Sequence, residues 1–264
     1  MLSKFRVRSV KFDMIYRIFI LLFCSQMFVF SASAEEVRIA VATNFLATLK
    51  EIVRKFSRDT GYTAVISSGS SGKLYAQIKH GAPFDVFFSA DVKRPHLLEK
   101  EGLATQGSRF VYAVGRLTLW SPDADMINGN GKEVLSNSGF RRLAIANPKT
   151  APYGAAAQSA LQALGLWNQM KGRLVQGENV GQTLQFVFSR NAQFGFVSLS
   201  QVLDSKINGS GSRWDVPADL HDPLHQEAVL LAKGQGNEAA LGFLEYVKSQ
   251  RAWEIIERFG YRLE

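Results

Sequence analysis

Cysteine is almost missing: Cys24 is the single one in 264 residues, and it lies in an apolar stretch near the N-terminus. From residue 35 onward there is none, which excludes disulfides, thiolate chemistry and cysteine-held metals from that part of the chain. The bulky pair Leu22-Phe23 before Cys24 argues against lipid attachment there. Histidine is scarce as well, and although His221 and His225 stand four apart, Pro223 between them disfavours a helical metal pair. Phosphate loops are absent: Gly72-Lys73 and Gly131-Lys132 lack both the glycine five residues earlier and the hydroxyl residue after. No G-x-S-x-G elbow, no G-x-G-x-x-G after the first strand and no paired carboxylates occur, so nothing calls for an enzyme. Nor does any run of five like charges, which leaves no footprint for nucleic acid.

What is present begins with a leader. Lys4, Arg6, Arg8, Lys11 and Arg17 precede the apolar stretch Ile18 to Phe30, and small residues follow from Ser31 to Ala34. This is the pattern of a secretory signal peptide, residues 1–34, cleaved near Ala34. The apolar stretch falls short of the roughly 20 residues that span a bilayer. Removing its five basic residues and one acidic residue lowers the formal charge from +8 to +4, so most of the basicity belongs to the leader.

The remaining 230 residues are enough to bury a core, or two smaller ones. Val37 to Ala42 reads as a strand buried on both faces, followed by a helix with Leu49, Ile52 and Phe56 at helical spacing and Gly61 at its end. Strand, loop and helix recur at Thr63–His80 and again from Phe84 to Gly102, which predicts an open, mostly parallel α/β sheet. After the long β-prone run Phe110 to Trp120 the pattern restarts. We read two α/β lobes, the first (35–112 plus 226–264) interrupted by the second (113–225), with the strands near 110–120 and 227–232 as candidate crossings.

In such sheets ligands bind beyond the carboxyl ends of the strands, where helix starts expose free N–H groups and a positive dipole end. Four turns there are built from small or hydroxyl-bearing residues: Thr43-Asn44, Gly69-Ser70-Ser71-Gly72, Pro152-Tyr153-Gly154 and Asn179-Val180-Gly181. Taken singly, each reads as well as a helix cap, a flexible turn or a packed corner. At equivalent places in successive units, in an exported chain without catalytic groups, together they point to an anion.

The runs AVATNFLATLKEI (Ala40 to Ile52), SSGSSGKLYAQI (Ser67 to Ile78), HGAPFDVFFSAD (His80 to Asp91), NPKTAPYGAAAQSALQALG (Asn147 to Gly165), FGFV (Phe194 to Val197) and RFGY (Arg258 to Tyr261) resemble the molybdate-binding components of bacterial ABC importers, across almost the whole chain after the leader. The resemblance implies a periplasmic, two-lobed (type II) solute-binding fold closing on molybdate or tungstate. It implies no enzyme and no cofactor, with molybdenum present only inside the bound anion. The implied partner is a membrane permease, and the implied state a monomer. Carried over by position, the anion ligands are Thr43, Asn44, Ser71, Tyr153 and Val180. The tyrosine often found after the FGFV-type strand is Ser198 here, and the Tyr153 phenol is expected to replace it from the other wall. Receptors for sulfate, phosphate or ferric iron, or an exported enzyme on the same scaffold, are the alternative readings.

Overall fold

Strands with apolar residues on both faces set the frame. The computed structural model describes residues 35–137, 139–207 and 210–263. The leader read as a signal peptide lies outside them. In β1 (Glu36–Ala42), Val37, Ile39 and Val41 enter one core and Ala40 the core on the opposite face, so the strand is covered on both sides. It leads through a 3-10 turn at Thr43–Phe45 into α1 (Leu46–Thr60), whose Leu49, Ile52 and Phe56 are wholly buried. Gly61 ends that helix at φ 80°, the left-handed value glycine adopts without strain. Next come β2 (Thr63–Gly69), α2 (Ser71–Lys79), β3 (Val86–Phe88), α3 (Lys93–Lys100) and β4 (Phe110–Gly115).

One residue later β5 (Leu117–Ser121) enters a second sheet. There follow α4 (Gly131–Ser136), β6 (Leu143–Ala146), α5 (Pro152–Ala163), α6 (Trp167–Met170), β7 (Leu174–Gly177) and α7 (Val180–Phe188). Then β8 (Phe194–Ser198), α8 (Leu199–Val202) and β9 (Ser212–Asp215) complete this sheet. The chain returns to the first sheet with β10 (Leu224–Leu230) and closes with α9 (Glu238–Val247) and α10 (Gln250–Arg258).

The sheets are ordered β2-β1-β3-β10-β4 and β7-β6-β8-β5-β9. In each, the fourth strand alone runs against its neighbours: β10 is antiparallel to β3 and β4, and β5 to β8 and β9. The other pairings are parallel, so this is the expected α/β architecture of two mostly parallel lobes, with one plan built twice from unrelated sequence. The sequence-based limits at 112/113 and 225/226 fall inside β4 and β10, which run on to Gly115 and begin at Leu224. The β-prone run from Phe110 splits at Arg116 between the two sheets, whereas β10 lies wholly in the first, so the return crossing is the segment 216–223. Edge strands β7 (LVQG) and β9 (SRWD) escape sequence reading because they are partly exposed and carry no apolar run.

Candidate functional site

Four helix starts from the two lobes converge on one cavity of about 10 Å³, room for roughly one water. All five residues nominated from the sequence, Thr43, Asn44, Ser71, Tyr153 and Val180, line it. Among the described residues, none of those lining it is charged. Among the described residues there is also no cluster of histidine, cysteine and carboxylate side chains fit to hold a metal.

Each position follows from its local sequence. Phe45 anchors the turn after β1, its ring 4.5 Å from that of Tyr112 and 5.4 Å from that of Tyr261. The Thr43 hydroxyl donates to Gly69 O at the end of β2 (3.0 Å). Asn44 Nδ2 donates to Gln226 Oε1 (2.8 Å) and Tyr261 Oη (3.1 Å). A carboxamide has two hydrogens, so both are taken. The Asn44 carbonyl accepts from Ser200 Oγ (2.9 Å) and lies 2.8 Å from Tyr261 Oη. What this turn leaves for a ligand is backbone: the first N–H groups of a helical turn have no acceptor within it.

Ser70 caps α2, its Oγ accepting from the Lys73 N–H (3.4 Å), which leaves Ser71 for other work. Ser71 Oγ accepts from the Ala90 N–H (2.9 Å), and the hydroxyl hydrogen stays available to donate. Asn179 caps α7 through the Gln182 N–H (3.0 Å) and leaves the Val180 N–H as the next donor. Pro152 opens α5 without an N–H, so the first amide of that helix belongs to Tyr153.

The Tyr153 side chain departs from expectation. Its phenol oxygen accepts from Gln226 Nε2 (3.3 Å) and from the Arg116 backbone N–H, so it faces β10 and the first crossing between the lobes. Glycine at 115 makes that course possible, since a Cβ there would overlap Tyr153 Oη. Ser198 is buried and does not line the cavity; it caps α8, and its Oγ lies 3.0 Å from Ser200 Oγ. Ser198 therefore supports the site at one remove, through the hydroxyl that holds the Asn44 carbonyl.

Burial pushes the phenols of Tyr112 and Tyr153 well above the ordinary tyrosine value, and raises that of Tyr261 too, so all three stay neutral. The lobes meet around the cavity. The Gly72 N–H donates to Thr150 O (2.9 Å), and Lys73 pairs with Glu178 (2.7 Å). A larger groove of about 1010 Å³ between α1 and α7 shares Thr43, Asn44 and Asn179 with the cavity. Neutral donors and helix dipoles without a counter-charge suit a small anion that arrives fully charged.

The family model for bacterial extracellular solute-binding proteins matches residues 37–262. The chain belongs to that family. This solute-binding protein is 49% identical over 235 residues to the molybdate-binding protein ModA of Azotobacter vinelandii, covering 89% of this chain and 92% of that protein. It is 44% identical over 233 residues to the molybdate-binding protein ModA of Rhodobacter capsulatus, covering 88% and 90%. The solved structure of the Azotobacter vinelandii periplasmic molybdate-binding protein superposes with a TM-score of 0.83 at 41% identity, over 86% of this chain and 99% of that one.

Sequence reasoning missed the groups that hold the solute-binding protein's turns in place: Tyr112, Ser200, Gln201 and Gln226. Gln201 donates to the Val180 carbonyl (3.3 Å) and, with Ser198, forms a capping box. Gln226 had one available signal: it stands in the polar start, His225-Gln226-Glu227, of an otherwise apolar strand.

Proposed function

We propose that this solute-binding protein captures molybdate or tungstate between its lobes and passes the anion to the membrane permease of an ABC importer. The observation that carries this reading is the convergence of four helix starts, two from each lobe, on one cavity lined, among the described residues, by no charged side chain. The donors would be the backbone N–H groups at Asn44, Ser71, Tyr153 and Val180 and the Ser71 hydroxyl, with Thr43 closing the wall. Molybdenum enters only as the centre of the bound anion; the chain needs no cofactor and catalyses nothing. Its place is the periplasm, as a monomer, after cleavage of the leader near Ala34.

A tetrahedral oxyanion is larger than one water, so capture requires the lobes to part and close again, and donors from both then favour the closed form. A phosphate that still carries a proton needs an acceptor, and among the described residues no carboxylate lines the cavity. Sulfate is smaller than molybdate, and each charge-assisted bond it fails to reach costs about 1.5–3 kcal/mol. The test is titration calorimetry on residues 35–264 with molybdate, tungstate, sulfate and phosphate. One-to-one binding of the first two, at least about tenfold tighter than the others, is expected. Equal or tighter sulfate binding would replace the ligand assignment, and silence towards all four would remove it.

A further inference from the structure

We propose that Gln226 is a positioning residue for anion capture: its uncharged carboxamide sets the Asn44 turn of the first lobe against α5 of the second. This rests on the anion-binding reading above. Gln226 is wholly buried on β10, at a point where the register against β4 slips: Gln226 faces Ala113, but Glu227 faces Val111. A bulge of this kind re-aims a side chain. Gln226 is not among the residues lining the cavity, so it acts only through others.

Three partners from three elements hold the carboxamide. Oε1 accepts from Asn44 Nδ2 (2.8 Å) and lies 2.9 Å from Tyr112 Oη, while Nε2 donates to Tyr153 Oη (3.3 Å). Asn44 follows β1 and Tyr112 is on β4, both in the first lobe, whereas Tyr153 begins α5 in the second. One amide thus joins a ligand-bearing turn of one lobe to a ligand-bearing helix of the other. The Asn44 donor on its oxygen and the Tyr153 acceptor on its nitrogen fix which end faces which lobe, while the Tyr112 hydroxyl shares its one hydrogen between this oxygen and Ser89 O (3.0 Å). Gly115 supplies the space, because a Cβ there would overlap both Gln226 Nε2 and Tyr153 Oη. Since Gln226 and Tyr261 take both hydrogens of the Asn44 amide, the Asn44 side chain is a strut, and its backbone N–H remains for the cavity.

Charge matters as much as shape here. The titratable groups facing Gln226 are Tyr112 and Tyr153, with Tyr261 one step beyond through Asn44, and burial keeps all three protonated. Asp91 acts on Tyr112 as a negative charge, and Arg116 meets Tyr153 through its backbone N–H. A carboxylate in place of the carboxamide would set a negative charge among neutral, buried partners and would oppose the incoming dianion.

The experiment measures molybdate affinity by calorimetry between pH 6 and 9 for the wild type, Gln226→Met and Gln226→Glu. The wild type should show a flat profile, because the buried phenols of Tyr112, Tyr153 and Tyr261 keep their protons in that range. Gln226→Met should bind at least tenfold more weakly. Gln226→Glu should lose affinity as pH rises, approaching tenfold per unit once its carboxyl ionises, and recover towards pH 6. If Gln226→Met binds within threefold of the wild type, the proposal is overturned. If that variant does not fold, a flat Gln226→Glu profile overturns it instead. A wild type silent towards molybdate would defeat the ligand reading, an outcome distinct from a binding wild type with indifferent variants.

Discussion

Replacing Gly181 with alanine should stabilise α7 in the unliganded protein and weaken ligand capture. Gly181 is the second residue of α7, where alanine is favoured over glycine by at most about 0.8–1.0 kcal/mol, the value for a helix interior. Its backbone is not left-handed, so that gain carries no strain. The main obstacle lies across the cleft, where a Cβ on residue 181 would stand 2.4 Å from Thr43 Cγ2; inside its own lobe it would stand 3.1 Å from Asn179 Oδ1, which must give by a few tenths of an ångström. Carbon atoms rest about 3.5–4.0 Å apart, so closure would have to stop more than about 1 Å short, or Thr43 would have to rotate. Rotation would break the Thr43 hydroxyl's bond to Gly69 O, worth about 0.5–1.5 kcal/mol. Overpacking by one carbon costs about 1–3 kcal/mol, which is roughly a 5- to 150-fold loss in affinity. Calorimetry with molybdate reads that loss, and thermal denaturation without ligand reads the helix gain. Thr43→Ser removes Cγ2 and keeps the hydroxyl, so in the double variant the affinity should return. Unchanged affinity in Gly181→Ala, or no rescue by Thr43→Ser, would refute the reasoning.

Three further outcomes are expected. Ser71→Ala removes the hydroxyl donor and leaves the Ala90 N–H without its acceptor, so molybdate affinity should fall about tenfold to 150-fold by calorimetry. Lys73→Ala breaks the ion pair with Glu178, whose side chains are 49% and 62% exposed, so stopped-flow release should quicken by no more than about fivefold. The buried phenols of Tyr112, Tyr153 and Tyr261 have raised folded-state values, so below pH 10 both folded and unfolded forms hold the proton and stability is indifferent to it. Above pH 10 the unfolded chain releases protons that the folded one keeps, and stability should fall by up to about 1.4 kcal/mol per pH unit for each tyrosine, as read by urea denaturation from pH 9 to 11.5.

The legible parts of this chain are those where one local rule decides the outcome. Val37 to Ala42 could hardly be other than a buried strand, and the start of α7 is announced by Asn179 and confirmed by its bond to Gln182. The cavity was reachable because its residues sit at the ends of such segments, where free amides must gather whatever the side chains are. What escaped were long-range agreements. Asn44 and Tyr261 are 217 positions apart and Asn44 and Gln226 182, and no pattern within a window can pair them. Tyr153 shows the same limit. Its place at a helix start was readable, but the direction of its phenol depended on Gly115 and Gln226, two residues in other strands.

If the proposed main-chain donors carry recognition, there is a consequence for anyone probing or redesigning the cavity. Alanine keeps the amide of the residue it replaces, so a conventional scan across Asn44, Tyr153 and Val180 would report struts and packing while leaving much of the recognition chemistry untouched. Proline at residue 153 or 180, or an ester in place of a single peptide bond, would strike the donor itself. For the same reason, swaps of side chains at Asn44, Tyr153 or Val180 should leave the preference among anions largely as it is; shifting it needs the helices reset, which places the levers in the crossing segments and the core.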